Sequence, residues 1–398
     1  MRVESCRVAD LAQQVRGVTY SADQAVSAPA PGYLPILRAN NITEDGPTFS
    51  DLVYVPASAV GIQQRLRAND VLVATSSGSI AVVGKAVRIA ANFEGGFGAF
   101  CKVLRPSAEV DPAYFAHFFK TRAYRQRVSS LAAGANINNL RNEHLDDFEI
   151  PLPPRPEQRR IAEVLDRAET LRAQRRQALA QLDALAEGIF LALFEGRKGS
   201  QWPRVTIGEI ATKLRTGPFG SQLLHSEFVE SGVAVLGIDN VVQNEFVWAQ
   251  PRYITASKFK QLERYRVAPG DVLVTIMGTC GRCAIVPEDM PVAINTKHLC
   301  CITLDQSRCL PSYLKAALLQ HPEALHQLGV HERGAVMPGL NMQLIRDLAI
   351  PLPPLPIQVA LRATLAAVSS QKRLFESSLA HLNTLFTSLQ HRAFRGEL

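Results

Sequence analysis

Cys280 and Cys283 are separated by two residues, a spacing that can hold a zinc ion when further ligands lie nearby. His298, Cys300 and Cys301 follow along the chain and could supply those ligands. However, cysteines beside isoleucine and valine runs are more often small buried apolar residues. Seven cysteines, an odd number spread over a long chain, also argue against a disulfide framework. We therefore expect no bound metal ion, no disulfide bonds and a reducing compartment.

Motifs that would indicate catalysis are missing from the sequence. Both Pro-Pro pairs follow leucine, so the Asn/Asp-Pro-Pro-aromatic motif of methyltransferases is absent. The stretch 78–85 is one residue too long for a phosphate-binding Walker loop, and Ala86 stands where that loop needs Ser or Thr. His331-Glu332 lacks the second histidine of a zinc-protease helix. These observations predict no catalytic residues in this chain and favour a binding role.

Polar residues in loops are the better candidates for function. Lys and Arg exceed Asp and Glu by 43 to 36, giving a net charge of +7 that suits a polyanionic partner. In a DNA groove, Arg and Lys read guanine, Asn and Gln read adenine, and small hydroxyl residues allow close approach to phosphate. Any one of these side chains could equally be a solvated loop residue. The candidates for DNA contact are Arg16, Arg38, Asn40, Asn41, Ser76, Ser77, Ser79, Lys85, Asn136, Asn138, Arg215, Ser221, Asn240, Thr279, Arg282, Lys297 and Arg333.

An internal repeat with a period of about 200 residues organises the chain. The segment 150–154 (Ile-Pro-Leu-Pro-Pro) returns at 350–354, and both copies continue with x-Pro-x-Gln. Upstream, Asp-Val-Leu-Val at 70–73 returns at 271–274, and Arg16 returns as Arg215. Each repeat therefore consists of a globular part, a Pro-Leu-Pro-Pro segment and a long helical part.

The globular parts are predicted to mix strands and helices. Residues 71–74 and 272–276 are β-branched runs next to turn residues, which is typical of short strands. Residues 112–128 and 311–328 each begin with proline and continue as one predicted helix. We therefore expect an α+β fold.

The segments that follow Pro-Leu-Pro-Pro carry apolar residues at alternating steps of three and four, which predicts coiled-coil helices. The first stripe is wider than a two-stranded seam, which favours a further helical partner, although the globular parts could cover it instead. The first predicted seam is Val164, Ala168, Leu171, Arg175, Ala178, Leu182, Leu185, Ile189 and Ala192. The second is Leu361, Leu365, Val368, Lys372, Phe375, Leu379, Leu382, Phe386, Leu389 and Ala393.

The segment 151–166, Pro-Leu-Pro-Pro-x-Pro-Glu-Gln-Arg-Arg-Ile-Ala-x-x-Leu-Asp, resembles a conserved region of the specificity (S) subunits of type I restriction-modification enzymes. The resemblance covers nearly the whole chain. It implies two target-recognition domains (1–150 and 199–350), a central conserved helix (151–198) and a C-terminal conserved helix (351–398). The expected fold is a pseudo-two-fold repeat whose globular domains are separated by two long antiparallel helices.

The resemblance also implies a function and partners. Each domain would read one half of a bipartite asymmetric sequence in double-stranded DNA, and the helices would set the spacer. Two modification subunits would dock on the helices and methylate adenine with S-adenosylmethionine, and restriction subunits would use ATP and Mg²⁺. No cofactor would be bound by this chain itself. The docking candidates are Glu157, Gln158, Arg159, Arg160, Gln358 and Leu361. In the second copy the charged residues of 157–160 are lost, so its helix would contact a partner differently.

Two alternatives of other classes stay open at this point. The chain could be a coiled-coil scaffold whose terminal domains bind a partner other than DNA, or an enzyme with an unrecognised site. The arginines crowded between 159 and 176 could dock an acidic partner, track phosphates or simply be solvated. No apolar leader follows the N-terminus and no apolar run is long enough to span a membrane, so we expect a soluble cytoplasmic protein.

Overall fold

The computed structural model describes residues 4–132, 139–194, 202–249, 251–329 and 340–398. The chain forms two compact units, one made of Met1–Ala178 with Phe375–Leu398 and the other of Leu179–Leu374. Each unit thus combines a globular part with portions of both long helices, and the units cut across the four predicted segments. None of the helices in the described ranges has the length and apolar character that crossing a membrane requires.

The first unit alternates short strands with short helices before its long helix begins. Its strands are β1 (Ser5–Arg7), β2 (Ala12–Arg16), β3 (Tyr33–Leu37), β4 (Ile42–Thr43), β5 (Gly46–Pro47), β6 (Val53–Pro56), β7 (Val71–Ala74), β8 (Ala86–Arg88), β9 (Gly96–Phe97), β10 (Cys101–Pro106) and β11 (Glu149–Pro151). Its helices are α1 (Val8–Leu11), α2 (Pro112–Phe118), α3 (Arg122–Ala132), α4 (Asn142–Asp146) and α5 (Arg155–Ala192), the last of which continues into the second unit.

The second unit repeats this order. Its strands are β12 (Arg204–Thr206), β13 (Ala211–Thr216), β14 (Val233–Leu236), β15 (Val241–Val242), β16 (Glu245–Phe246), β17 (Tyr253–Ile254), β18 (Arg266–Val267), β19 (Val272–Thr275), β20 (Cys283–Ile285), β21 (Ala293–Asn295), β22 (Leu299–Leu304) and β23 (Ala349–Pro351). Its helices are α6 (Ile207–Ile210), α7 (Ala256–Leu262), α8 (Pro311–Gln320), α9 (Pro322–Gln327), α10 (Met342–Asp347) and α11 (Leu355–Ala393).

An antiparallel four-stranded sheet lies at the centre of each unit, in the order β2-β10-β7-β8 and β13-β22-β19-β20. The predicted strand at 71–74 forms as β7, and the strand predicted at 272–276 forms as β19. In β7, Val71 and Val73 pack into one apolar cluster and Leu72 and Ala74 into another. Alternate side chains point to opposite faces of a strand, so an uninterrupted apolar run is suited to a sheet covered on both faces. The α+β prediction is confirmed.

Each of the two helices predicted in the globular parts is in fact a pair. In the first unit, α2 ends and α3 begins around Thr121, whose hydroxyl donates to the carbonyl of Phe118 at 2.8 Å and accepts the N–H of Tyr124 at 3.2 Å. In the second unit, the break between α8 and α9 falls at Pro322, which lacks the N–H that a continuous helix needs. The prediction of single helices over 112–128 and 311–328 was therefore wrong.

The long helices α5 and α11 begin directly after the two Pro-Leu-Pro-Pro segments. Within the first unit they run antiparallel. Arg160 on α5 donates to the carbonyl of Leu398, just beyond α11, at 2.6 Å, and Arg172 donates to Asn383 at 2.7 Å. Residues later in α5 thus contact residues earlier in α11, as in an antiparallel pair. In the second unit, Asp183 of α5 pairs with Lys372 of α11 at 2.7 Å.

The predicted seam of α11 agrees with the residues that the structure buries or half-buries, from Leu361 to Ala393. The seam predicted for α5 was wrong at three positions, because Leu171 and Leu185 are 51% and 50% exposed and Ala192 is exposed as well. Arg172 takes the inner position next to Leu171, with its guanidinium stacked 4.5 Å from the ring centre of Phe386. A long cationic side chain can cover apolar surface in this way while its charged end stays near water.

The globular part covers much of the wide stripe on α5, as the alternative interpretation held. In the first unit, Ile161 and Leu165 are buried in the cluster that contains Tyr114 and Phe115 of α2. In the second unit, Phe190 is buried beside Tyr313 of α8, with ring centres 6.2 Å apart. These stretches of α5 therefore serve as part of each unit's own core.

Candidate functional site

A cleft in the first unit gathers five of the predicted DNA-contact residues: Arg16, Arg38, Asn40, Ser76 and Ser77. Its volume is about 910 Å³. No carboxylate lines it among the described residues, and its two charged lining residues are the arginines. The remaining lining residues are Val18, Thr19, Tyr20, Ala39, Gly78, Gly98, Ala99, Phe100 and Cys101.

Strand ends bring these residues together. Arg16 is the last residue of β2, Arg38 follows β3, and Ser76 and Ser77 follow β7 shortly after the strand ends. Gly17 lies so close to the carbonyl of Gly98 that a β-carbon would overlap it, so only glycine allows this crossing of the backbone. The result is a polar rim built on fixed backbone.

Arg38 is oriented by Asp51. Its guanidinium donates to the backbone carbonyl of Asp51 at 2.9 Å and to a carboxylate oxygen at 3.2 Å, and the amide of Asn40 donates to the same carboxylate at 3.1 Å. The side chain of Arg38 is partly exposed and that of Asp51 is largely exposed. A partner carboxylate that holds a guanidinium in one direction lowers the entropy lost when that guanidinium binds a ligand.

Two aromatic residues of the cleft were not predicted from sequence. Tyr20 is half-buried beside Arg38; burial raises the pKa of its phenol, and the positive charge of Arg38 opposes that rise. Phe100 is 70% exposed. Among the large apolar side chains of the described residues, only Ile62 is more exposed, at 71%. The sequence offers little to mark either residue, because neither lies in the part of the repeat that matches clearly.

Asn41 and Asn240 were wrong as DNA-contact candidates. Both are buried, and both hold a turn by hydrogen bonds to the backbone at equivalent places in the two units. Asn41 accepts the N–H of Arg38 at 2.8 Å and donates to the carbonyls of Thr48 and Ser50. Asn240 accepts the N–H of Gly237 at 2.9 Å and donates to Val247. Their amides are therefore engaged inside the protein.

The prediction that Arg215 contacts DNA was also wrong, because its guanidinium is engaged in an ion pair with a buried carboxylate. Its guanidinium lies 2.7 Å from a carboxylate oxygen of Asp271, and the two side chains are 12% and 1% exposed. The first unit has the same pair from another strand, Arg105 with Asp70 at 2.8 Å. Strand register explains the difference. Arg215 lies opposite Cys301 in the sheet, and the residue at the equivalent position of the first unit is Val15, not Arg16. Arg16 is one residue further along its strand, so Arg16 and Arg215 point to opposite faces of their sheets.

The other candidates of the first unit lie outside the cleft lining. Ser79 is exposed in the loop that follows Ser77, whose hydroxyl accepts the N–H of Ser79 at 3.2 Å. Lys85 lines a smaller cavity of about 290 Å³ together with Arg172 of α5 and Phe386 of α11. Asn136 and Asn138 lie outside the described residues, as does Arg333 of the second unit.

In the second unit, Ser221 and Thr279 are exposed loop residues, and Lys297 and Arg282 are half-buried. The N–H of Arg282 donates to the hydroxyl of Thr275 at 2.9 Å, which fixes the backbone of the loop between β19 and β20.

Two residues near Lys297 were missed as candidates for DNA contact. Arg252 pairs with Asp239, and His298 follows Lys297 directly. Burial lowers the pKa of His298, and the positive charges of Lys297 and Arg252 lower it further. Three basic groups therefore lie within electrostatic reach of one another, and the imidazole is favoured in its neutral form at neutral pH.

The docking candidates fall into two groups. Gln158, Gln358 and Leu361 are buried within their own units, so the prediction that they contact another subunit was wrong. Gln158 accepts the N–H of Asp111 at 2.7 Å and donates to the carbonyl of Pro153 at 2.8 Å. By contrast, Arg159 is exposed, and Glu157 and Arg160 form an exposed pair at 2.6 Å. That Glu157, Arg159 and Arg160 contact a partner subunit stays a prediction.

The arginines further along α5 mostly make contacts within the first unit. Arg175 stacks 4.2 Å from the ring centre of Phe375, and Arg176 pairs with Asp45. Arg172 contacts Asn383 and Phe386 on α11. These contacts join the two helices and the globular part. Three of the six arginines between 159 and 176 therefore stabilise the first unit itself.

Five of the seven cysteines are buried as apolar core residues, and Cys6 and Cys280 are half-buried. Cys283, Cys300 and Cys301 are buried, and burial raises the pKa values of Cys283 and Cys300 to about 12. Within the described ranges, His117, Asp166 and Glu169 do place their ligand atoms within 4.8 Å of one another.

This acidic cluster already has cationic partners. His117 lies 2.7 Å from Asp166, Arg88 lies 3.3 Å from the same carboxylate, and Lys120 lies 2.7 Å from Glu169. Burial alone would raise the pKa of Asp166, but the hydrogen bond from His117 and the nearby positive charges bring it below its usual value. We therefore interpret the cluster as an ion-pair network that joins α5 to α2 and β8.

Comparison with known proteins gives one family. The family described as the type I restriction modification DNA specificity domain matches residues 2–182 and again 199–383. The EcoKI specificity subunit of a type I restriction enzyme from Escherichia coli (strain K12) is 30% identical to this chain, covering 96% of it and 86% of the relative. The StySPI specificity subunit from Salmonella potsdam is also 30% identical, with the same coverage of both chains.

Solved structures show the same fold at lower identity. The type I restriction-modification S subunit from M. genitalium superimposes with a TM-score of 0.56 at 16% identity, covering 98% of this chain and 96% of that one. A chain from a type I R-M system solved for its complex assembly and conformational transition has a TM-score of 0.57 at 16% identity, with 99% and 98% covered. The fold of this chain is thus shared with these proteins.

Proposed function

This chain belongs to the family of type I restriction-modification DNA specificity domains, and from that membership we propose that it is the specificity subunit of such an enzyme. It binds double-stranded DNA in a sequence-specific manner and selects the site at which the assembled enzyme acts. Each unit reads one half of a bipartite target. The two helices that continue from one unit into the other set the length of the spacer.

The cleft of the first unit is the observation that carries this proposal. Two arginines, one amide and two serine hydroxyls line it, and none of the described lining residues is a carboxylate. Such a set offers cationic contacts to phosphate and hydrogen bonds to base edges, and the arginine forks suit guanine. The second unit supports the proposal with the basic group of Arg252, Lys297 and His298.

Catalysis is assigned to partner subunits. Modification subunits methylate adenine with S-adenosylmethionine, and restriction subunits hydrolyse ATP with Mg²⁺ to move along DNA and cleave it. This chain supplies no catalytic group to either reaction. Because the chain repeats itself, it offers two similar surfaces, and we infer that two modification subunits bind one copy of it.

Exposed residues of α5 in the first unit are the candidates for this docking. Arg159 and the pair of Glu157 with Arg160 lie on its first turns, and Leu171 exposes half of its side chain further along. A protein interface typically combines exposed apolar side chains with charged groups at its rim, and α5 offers both kinds of residue about three turns apart.

The deciding experiment is single-molecule sequencing that detects adenine methylation. Cells would express the modification subunit encoded beside this chain, either with the chain or without it. A split motif with a constant gap, methylated only when the chain is present, is the expected result. Absence of any chain-dependent motif, despite a stable complex, would contradict the proposal.

A coiled-coil scaffold that binds another partner is the second candidate, because a large part of the chain is helix and two leucines on α5 are half exposed. Salt dependence separates it from the first. DNA binding by the assembled complex should weaken steeply between 50 and 200 mM salt if several phosphates are contacted, by about 10³-fold or more. A scaffold would show no DNA binding even at low salt.

A further inference from the structure

Phe100 is an exposed aromatic residue in an otherwise polar cleft. Its side chain is 70% exposed, while its neighbours in the cleft include Arg16, Arg38 and Ser76. Exposed single apolar residues are common on protein surfaces and need no explanation by themselves. A phenylalanine that lines a concave surface beside two arginines is different, because its position restricts what can contact it.

The backbone of Phe100 is firmly held. Its carbonyl accepts the N–H of Thr75 at 2.9 Å, the N–H of Ser76 at 3.1 Å and the hydroxyl of Thr75 at 3.2 Å. The next residue, Cys101, is buried at the start of β10. A ring presented from such a fixed point loses little conformational entropy when it makes a contact.

The surroundings indicate the chemistry of the occupant. The arginines favour an anionic ligand, and the exposed ring favours an apolar group carried by that ligand. In the major groove of duplex DNA, the C5-methyl group of thymine is the apolar feature, and phenylalanine is among the side chains that contact it. We propose that Phe100 is a specificity-determining residue that reads a thymine methyl group in the half-site bound by the first unit.

The second unit carries a different side chain at the equivalent backbone position. Ile276 donates its N–H to the carbonyl of His298 at 2.9 Å, as Thr75 does to Phe100. His298 is half-buried beside Lys297 and within reach of Arg252. An imidazole reads hydrogen-bonding groups and has no particular preference for a methyl group. The two half-sites are therefore distinguished at one corresponding position by an apolar and a polar ring.

The proposal rests on the proposed function, and its test begins once the methylated motif is known. Duplexes would carry deoxyuridine in place of each thymine of the motif in turn, which removes the methyl group and leaves base pairing intact. The wild-type complex should bind one such duplex about fourfold more weakly, the effect expected for one lost buried methyl group. The Phe100→Ala complex should bind that duplex and its thymine parent equally.

Matched variants separate this contact from general effects. Ile62→Ala removes an apolar side chain of the same unit that is 71% exposed and does not line the cleft, so its complex should keep the fourfold preference. Phe100→Leu keeps an apolar contact and should retain part of the preference. Because Phe100 is exposed, the unfolding midpoint of Phe100→Ala should equal that of the wild type.

Two results would overturn the proposal. One is a motif in which every thymine can be replaced by deoxyuridine without loss of binding. The other is a Phe100→Ala complex that keeps the wild-type sensitivity to the missing methyl group. Both presuppose a motif that depends on this chain, so they differ from failure of the proposed function, in which no such motif is found.

Discussion

The side-chain carbonyl of Gln158 accepts the backbone N–H of Asp111 at 2.7 Å, and this bond ties α5 to the start of α2. Gln358 makes the equivalent bond to Leu310 in the second unit at 2.8 Å. Each glutamine also donates to the carbonyl of the first proline of its Pro-Pro pair, Pro153 or Pro353. The x-Pro-x-Gln signature of the repeat is thus a structural joint between each globular part and its helix.

Gln158→Ala should destabilise the protein by about 1–3 kcal/mol, because it removes a buried amide and leaves the half-buried N–H of Asp111 without its partner. Gln358→Ala should have a similar effect. Denaturant unfolding of the purified chain would measure the loss. Arg159→Ala is the matched control on the same turn, and its exposed side chain predicts a change within about 0.5 kcal/mol. Equal stability of Gln158→Ala and wild type would contradict the claim that Gln158 stabilises the connection between the globular part and α5.

The buried pair of Arg215 and Asp271 predicts a larger effect. Arg215→Val leaves Asp271 buried without its cation and should cost about 3–5 kcal/mol. In the first unit the cation is Arg105, whose equivalent position in the second unit is Thr303. The double variant Arg215→Val with Thr303→Arg copies the first unit and should recover part of the loss. A double variant less stable than the single one would show that the two arrangements are not interchangeable.

Acidic pH should destabilise the second unit through His321. Burial lowers the pKa of this histidine, and its ring lies against Phe194 with centres 4.6 Å apart. The unfolded chain binds a proton near pH 6.5, whereas the folded chain binds it only at lower pH. Stability is therefore full above about pH 6.5 and falls as the pH decreases below it.

Thermal unfolding at pH 8 and pH 5.5 would test this. The midpoint difference between the two pH values should shrink in His321→Phe, which keeps an aromatic ring but cannot bind a proton. His326→Gln, an exposed position in the same unit, should keep the wild-type difference. An unchanged difference in His321→Phe would assign the pH sensitivity to other groups.

Thiol accessibility should divide the cysteines into two classes. Cys6 and Cys280 are partly exposed, and the other five are buried. Burial raises the pKa values of Cys101 and Cys309 to about 12, so their thiolates are scarce at pH 8. A thiol reagent should therefore modify at most two cysteines quickly in the native protein and all seven after unfolding.

Zinc provides a second readout for the same residues. The chain should contain no stoichiometric zinc by elemental analysis, and a chelator should leave its unfolding midpoint unchanged. One equivalent of zinc, released together with a gain of fast thiols at Cys283 and Cys300, would instead establish the metal site that the spacing allows.

Arg16→Ala should reduce the salt dependence of DNA binding. Arg16 is exposed at the cleft, so its guanidinium can face phosphate. Loss of one phosphate contact should lower the slope of log K against log salt by about 1 and weaken binding to all sequences alike. Arg7→Ala is the control, because Arg7 is an exposed arginine outside the cleft that pairs with Asp10 at 3.6 Å. A slope equal to that of the wild type would remove Arg16 from the phosphate contacts.

Much of the fold could be predicted because its signals are periodic or repeated. The strand at β7, the positions of α5 and α11 and the inner residues of α11 follow from apolar spacing and from the proline segments that precede the helices. At Leu171 the seam of α5 shifts by one position, where Arg172 packs on Phe386 instead. Apolar periodicity does not register an arginine whose stem covers a ring.

The candidate site was predicted by residue type and only partly by position. One cleft does bring together Arg16, Arg38, Asn40, Ser76 and Ser77. By contrast, Asn41 and Asn240 are buried and bind the backbone of a turn. A side-chain amide suits a base edge and a backbone turn equally well, so its type cannot distinguish the two.

By itself, the sequence determined that this protein is a tandem repeat of α+β units with long helices, because repeats and apolar periodicity are properties of the chain order. Only the tertiary structure decided which arginine faces the cleft and which faces Asp271, or that Phe100 stands exposed beside Arg38. A shift of one residue in strand register sends a side chain to the opposite face. Such a shift is set by packing against residues distant in the sequence, which no local pattern contains.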